Sequence, residues 1–265
     1  MARPSDPNAR QRLLDAARHE FVSRGLDRTR VEDIARRAEL SKGAFYLHFE
    51  SKEQIFDELV FEVASGLEQM LDQTGHCFSV PVESPEHLLR RCFTQDLGIF
   101  EFIRDNRGMM ALMLEGGGSG RHRHLIESFA ARTERVVSAG LRAGMAAGYY
   151  RDDLEVDSAA AFIAGGYDRF ARNLIKMLLA EGAECDLASH LAKVIRQVIA
   201  GVGSSTLAAA ARCVLPGLAQ QTKSATTGAP IEAPTASGSE PSATTISVSS
   251  ESRDSTIHPR PTSQA

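Results

Sequence analysis

Between Asn8 and Lys52 three short apolar periods follow one another with barely a turn between them, and this crowding constrains the chain more than any other feature. Helices so short are marginal in water on their own. They must therefore pack on one another around shared apolar side chains. The first runs from about Asn8 to Arg24, where Leu13, Ala17 and Phe21 recur at every fourth position beside Leu14, and Gly25 supplies the stop. The second is expected to begin at Thr29, its hydroxyl capping the helix with Glu32 completing a capping box, and to turn Ile34, Ala35 and Ala38 inward. After Glu39 and Leu40, Ser41 is an N-cap for a third helix from Lys42 to about Phe49. Ser51 caps a fourth, with Gln54 in the reciprocal position, and Ile55, Leu59, Val63, Leu67 and Leu71 then step by four.

Two short helices across a tight turn make a helix-turn-helix. In the third helix Phe45 and Phe49 lie four apart and point to the core, while Lys42 and Tyr46 share another face with Gly43 and Leu47 alongside. With His48, that face offers hydrogen-bond donors and a position of close approach, as a helix in a DNA major groove requires. Lys52 is expected to add charge at a helix N-terminus whose amides favour phosphate. The whole chain carries a net charge of −4, which argues against nucleic acid until the distribution is read. From Met1 to Lys52 there are eleven basic and eight acidic side chains, three net positive, so the basic residues are segregated as a DNA footprint would be.

The segment RVEDIARRAELSKGAFYLHFESKEQIFDELV resembles the DNA-binding domain of the tetracycline-repressor (TetR/AcrR) family. The likeness rests on Ile34, Ala35 and Ala38, then Ser41-Lys42-Gly43, then Tyr46, His48 and Phe49, then Ser51-Lys52, and spans roughly Ala9 to Val60. It implies that Lys42, Gly43 and Ala44 approach base edges, that Tyr46, His48 and Lys52 hold phosphates, and that Thr29 caps the second helix close to the DNA backbone. Two positions depart from the family's pattern. Ala44 stands where a hydroxyl residue is frequent and offers only a methyl, so reading there is weaker or apolar. Glu39 stands where glycine is common, and strains the turn if that position needs positive φ.

Tryptophan is absent and aromatics make up 6%, a balance that favours helices over sheets. The expected fold is all-α, in three parts. Residues 1–52 form an arm and the helix-turn-helix domain, 53–218 a regulatory ligand-binding and dimerisation domain, and 219–265 a disordered tail. The tail has no aromatic residue and too little apolar surface to offset its ordering entropy. Behind the fourth helix (Ser51 to Thr74), further helices are predicted over Pro85–Asn106, Gly108–Glu115, Arg121–Ala147, Asp157–Glu181 and Asp186 to about Cys213. The Gly116–Gly120 loop lacks a following Gly-Lys-Ser/Thr and reads as a connector.

The resemblance further implies a homodimer built on the last two helices. Ala160, Ala164 and Gly165 would permit close approach, and Leu187, Leu191, Val194, Ile195 and Val198 form an apolar stripe, with ordinary intrachain packing as the alternative. It also implies an effector pocket among the central helices, with Phe93, Phe100, Met109, Met110, Met113, Phe129, Tyr149, Tyr167 and Phe170 as candidate walls. Asp96, Arg104, Glu115 and Asp168 are candidate polar anchors.

Other functions find little footing. The four cysteines are far apart, without the spacing of a zinc cage or disulfide framework, so no metal and no cofactor is expected. The carboxylates and histidines form no acid/base or nucleophile motif, and His122-x-His124 reads as an exposed entry to a helix, so no catalytic residue is assigned. No signal-peptide pattern opens the chain and no apolar run reaches the ~18 residues of a membrane span. A cytoplasmic, ligand-responsive transcription regulator is expected, a repressor released from a palindromic double-stranded DNA operator by a small-molecule effector. The alternative is a TetR-like helical scaffold that binds no operator.

Overall fold

The computed structural model describes residues 7–78, 82–114, 122–181 and 185–226. Among these are ten helices: α1 (Ala9–Arg24), α2 (Val31–Arg37), α3 (Lys42–Tyr46), α4 (Lys52–Phe78), α5 (Pro85–Asp105), α6 (Arg107–Leu114), α7 (Arg123–Ala146), α8 (Val156–Glu181), α9 (Leu187–Val202) and α10 (Ser205–Thr226). Pairing of extended backbone among the described residues is limited to one antiparallel bridge between Tyr150 and Gly203. The first six residues, the Glu115–Gly120 segment and everything beyond Thr226 lie outside the described residues, and with them the expected arm, connector and most of the expected tail.

The first three helices close over the start of α4. Leu13, Ala17 and Phe21 of α1 meet Ile34, Ala35, Phe45, Phe49, Ile55 and Phe56 in one buried cluster, with the Phe21 and Phe56 rings edge to face at 5.3 Å. Gly25 ends α1 at φ 80, and its N–H donates to the Phe21 carbonyl. The same cluster continues along α4 through Leu59, Val63 and Leu67 into the apolar faces of α5, α6, α9 and α10. One long helix therefore belongs to both the reading head and the body behind it.

Three differences from the expected layout have local causes. First, α2 begins at Val31 and has no side-chain cap. Thr29 is instead 1% exposed, its hydroxyl donating to the Gly25 carbonyl at 2.7 Å and the Glu20 carbonyl at 3.2 Å. Second, the helix expected from Asp186 to Cys213 is two. A Cβ at Gly203 would sit 2.6 Å from the Ile199 carbonyl oxygen, so the chain breaks there and pairs with the 149–151 loop (Arg151 N–H to Val202 O, Ser204 N–H to Tyr149 O). Third, α10 continues past the expected boundary at Leu218. Ala219 is buried and Lys223 pairs with Asp186 at the start of α9.

His122 also lies elsewhere than the sequence reading put it. It is buried at the entry to α7, its Nε2 is 3.0 Å from Asp57 Oδ1 of α4, and its ring lies edge-on to Phe56 and Phe61. α6 meets α1 equally closely: a Cβ on Gly108 would fall 2.5 Å from Val22 Cγ1. Of the expected dimer stripe, Leu187, Leu191 and Ile195 are buried within the single chain. The helix that carries them, α9, packs against α5 and α10. Large apolar side chains left exposed include Val22 of α1, Tyr46 and Leu47 at α3 and Phe61 of α4; behind the head they gather on α8, where Phe162 is 83% exposed and Met177 and Leu179 are partly so.

Candidate nucleic-acid interface and the cavity behind it

α3 is five residues long and needs outside support. Ser41, in extended backbone, accepts the Ala44 N–H at 3.0 Å and so fixes the first turn. Phe45 and Phe49, their rings 5.8 Å apart, are buried and anchor the inner side. The outer side carries Lys42, Gly43, Tyr46 (51% exposed) and Leu47, with Ala44 and His48 half-buried at its edges. A Cβ on Gly43 would meet only Ser41 Oγ, at 3.7 Å. Packing inside the chain therefore does not demand a glycine, and its bare backbone leaves room for a surface arriving from outside. Lys42 donates to Glu32 at 2.6 Å and lies 6.0 Å from the Tyr46 ring centre. The pairing lowers the Glu32 carboxyl and raises the Lys42 ammonium from their ordinary values, the mutual hydrogen bond being the main cause in each.

Two expected contact residues are otherwise engaged. Thr29 is buried and serves the end of α1. Lys52 donates to the carbonyls of Leu26, Asp27 and Thr29 at 2.8, 3.2 and 3.1 Å, which occupies all three ammonium protons. It staples the α1–α2 loop to the start of α4, a role that a positive charge in sequence does not reveal. Most other cations of the head are likewise spoken for. Arg10 pairs with Glu58, Arg18 with Glu62, Arg24 with Glu20 and Asp33, and Arg36 with Asp33. Arg37 meets the buried Glu20 at 2.6 Å. Arg28 and Arg30 are exposed and take part in no ion pair among the described residues. Lys52 aside, the positive charge without an ion pair thus narrows to Arg28 and Arg30 in the loop before α2, while Lys42 on the face of α3 is exposed but paired with Glu32. Glu39 has φ 56, the left-handed turn that its place in the sequence had put in question.

Behind the head, α4 to α9 enclose a cavity of about 420 Å³, within the range of small-molecule sites. Phe100, Met113, Phe129 and Tyr167 line it, as does Met110. Phe93 and Met109 are packed in the core, and Phe170 stands behind Phe100 at 4.8 Å without reaching the space. Ring size alone does not separate a wall from a core residue; the side of the helix does. The sequence reading missed Tyr150, which reaches the cavity from the loop after α7, close over Gly144.

Among the polar candidates, Asp96 of α5 lines the cavity and accepts the Tyr167 hydroxyl at 2.7 Å. Burial pushes its carboxyl up to about 6, against the Tyr167 hydrogen bond, which pulls it down. Asp168 also lines the cavity, paired with Arg172, whereas Arg104 pairs with Asp105 and Glu101 away from it. Glu115 lies outside the described residues.

Residues 13–59 match the family described as "Bacterial regulatory proteins, tetR family". The chain is 31% identical over 157 residues to the HTH-type transcriptional repressor KstR2 of Mycobacterium tuberculosis, covering 58% of this chain and 75% of that one. It is 26% identical over 199 residues to the HTH-type regulator YdgC of Bacillus subtilis, covering 73% and 92%. In three dimensions it resembles SmeT, the repressor of the Stenotrophomonas maltophilia multidrug efflux pump SmeDEF, solved as a triclosan complex, with a TM-score of 0.56, 21% identity and coverage of 75% and 93%. The match to KstR2 runs well past the short reading head into the helical body, and with it the chain belongs to the tetR family of bacterial regulatory proteins: it is a DNA-binding regulator of transcription.

Proposed function

We propose that the chain is a ligand-responsive repressor that grips a two-fold DNA operator as a homodimer and releases it when a small molecule fills the cavity. The observation that carries this reading is the outer face of α3, held from behind by Phe45 and Phe49 and presenting Lys42, Gly43 and Tyr46 to solvent. In this reading Lys42, Gly43 and Ala44 meet base edges, and Tyr46 and His48 meet phosphates. Arg28 and Arg30 take the backbone role that sequence alone gave to Lys52 and Thr29. A second copy docks on α8 through the exposed Phe162, with Gly165 and Gly166 admitting its helix, since a single short reading helix grips weakly and a symmetric operator needs two.

The cavity shares walls with α4 and α6, and both helices touch the head, at Phe56–Phe21 and Gly108–Val22. A ligand that prefers one tilt of these helices by ~1.4 kcal/mol shifts operator occupancy about tenfold. The repressor names of KstR2 and SmeT, and the triclosan bound by SmeT, support a repressor with a mostly apolar effector. Among the described residues no helix is long and apolar enough to cross a membrane.

A gel-shift titration against the chain's own upstream DNA at rising salt tests the reading. A shift at low salt, lost in Tyr46→Ala and Lys42→Ala variants that remain folded, is the expected result. No shift at low salt favours the scaffold reading.

A further inference from the structure

The charge on the cavity wall is lopsided. Its charged lining residues are the carboxyls Glu68, Asp96, Glu134 and Asp168 and a single guanidinium, Arg172. Arg172 is committed: its Nε lies 3.0 and 2.8 Å from the two oxygens of Asp168. Asp96 stands apart from the other carboxyls: among the described residues its one hydrogen-bond donor is the Tyr167 hydroxyl, and no cation faces it. The rest of the wall is mostly aromatic or apolar, including Phe100, Phe129, Tyr150 and Leu67, with Thr74, Gln95 and Thr133 as uncharged polar members.

An arriving ligand displaces the water that solvates this carboxylate. A neutral ligand leaves the charge buried and uncompensated, and an anion adds repulsion. A cation pairs with it, and the aromatic faces beside it attract the same charge. We infer that the cavity selects amphiphiles bearing one positive charge, a lipophilic amine or quaternary ammonium, with Asp96 as the counter-ion. This rests on the reading of the cavity as the effector site. The upward displacement of the Asp96 carboxyl to about 6 is what a buried acid lacking a cationic partner shows. Tyr167 holds the carboxylate toward the space, its own hydroxyl kept protonated by burial and by the neighbouring Asp96.

Three probes with the same ten-carbon chain test this on the full chain by titration calorimetry, below their aggregation concentrations: decyltrimethylammonium, decanol and decanoate. The cation is expected to bind at least about tenfold more tightly than either of the others. Asp96→Asn, which keeps the shape and an acceptor for Tyr167, is expected to erase that preference, and Tyr167→Phe to retain it. Decanol or decanoate binding as tightly as the cation overturns the inference, as does a preference that survives Asp96→Asn. Should Asp96→Asn not fold, the ranking of the three probes on the unaltered protein decides alone.

Release of labelled upstream DNA separates the two readings. If the cation binds selectively and the DNA stays bound, the counter-ion inference stands and the effector reading falls. If all three probes release DNA equally, the effector reading stands and the inference falls. If none binds, both fall.

Discussion

Lys52 shows how a residue's place in a motif and its physical work can differ. A lysine at the start of a helix beside a reading helix looks like a phosphate contact, yet its three protons are spent on the carbonyls of residues 26, 27 and 29. Lys52→Ala should therefore lower unfolding free energy by about 1.5–3 kcal/mol, the range for hydrogen bonds to a charged group, in urea denaturation. Its DNA affinity, measured where the variant is folded, should keep the salt slope of the unaltered protein. Arg28→Ala should do the reverse: little change in stability, and a slope shallower by about one unit per half-site. A flattened slope in Lys52→Ala would restore it to the phosphate set. Glu39 is the second residue whose chemistry and backbone disagree. Its φ of 56 costs a side-chain-bearing residue about 1 kcal/mol, and its ion pair with Arg12 is exposed and contributes little. Glu39→Gly should raise the urea midpoint, and an unchanged or lower midpoint would show that Arg12 matters more than the turn.

At the scale of elements, much of the order was legible. The caps at Ser41 and Ser51 place the starts of the reading helix and the long helix where they stand, although α3 stops at Tyr46, short of Phe49, and α4 runs past Thr74 to Phe78. What escaped was decided by distant contacts. The start of α2 depends on Thr29 turning back to α1, and the break at Gly203 on a pairing with Tyr150 that no local pattern announces. The wall of the cavity was half legible, because Phe100 and Phe93 look alike in sequence and differ only in which neighbour their helix face meets. The α1–α6 contact belongs to this scale too. Gly108→Ala in a helix ordinarily gains up to ~1 kcal/mol, but here the new methyl meets Val22, a β-branched side chain with little freedom to move aside. The substitution should destabilise the protein alone and stabilise it in a Val22→Ala background. The same sign in both backgrounds would mean that the two helices are free to part.

For the molecule as a whole, α8 exposes Phe162, Met177 and Leu179, whereas Leu187, Leu191 and Ile195 of the α9 stripe are buried in the chain's own core. Phe162→Glu should leave the fold intact by circular dichroism, shift the protein from dimer to monomer in sedimentation, and weaken operator binding at least about tenfold, since paired reading heads bind as one bivalent unit. A dimer that persists unchanged would move the interface elsewhere. The Lys52 staple has a bearing on how such a dimer responds to a ligand. Because the loop ahead of α2 is tied to the first turn of α4, tilting α4 cannot bend the head out of shape without stripping an ammonium of its partners. In the proposed dimer the head would then swing whole, and an effector would reset the distance between two intact grips rather than spoil either one.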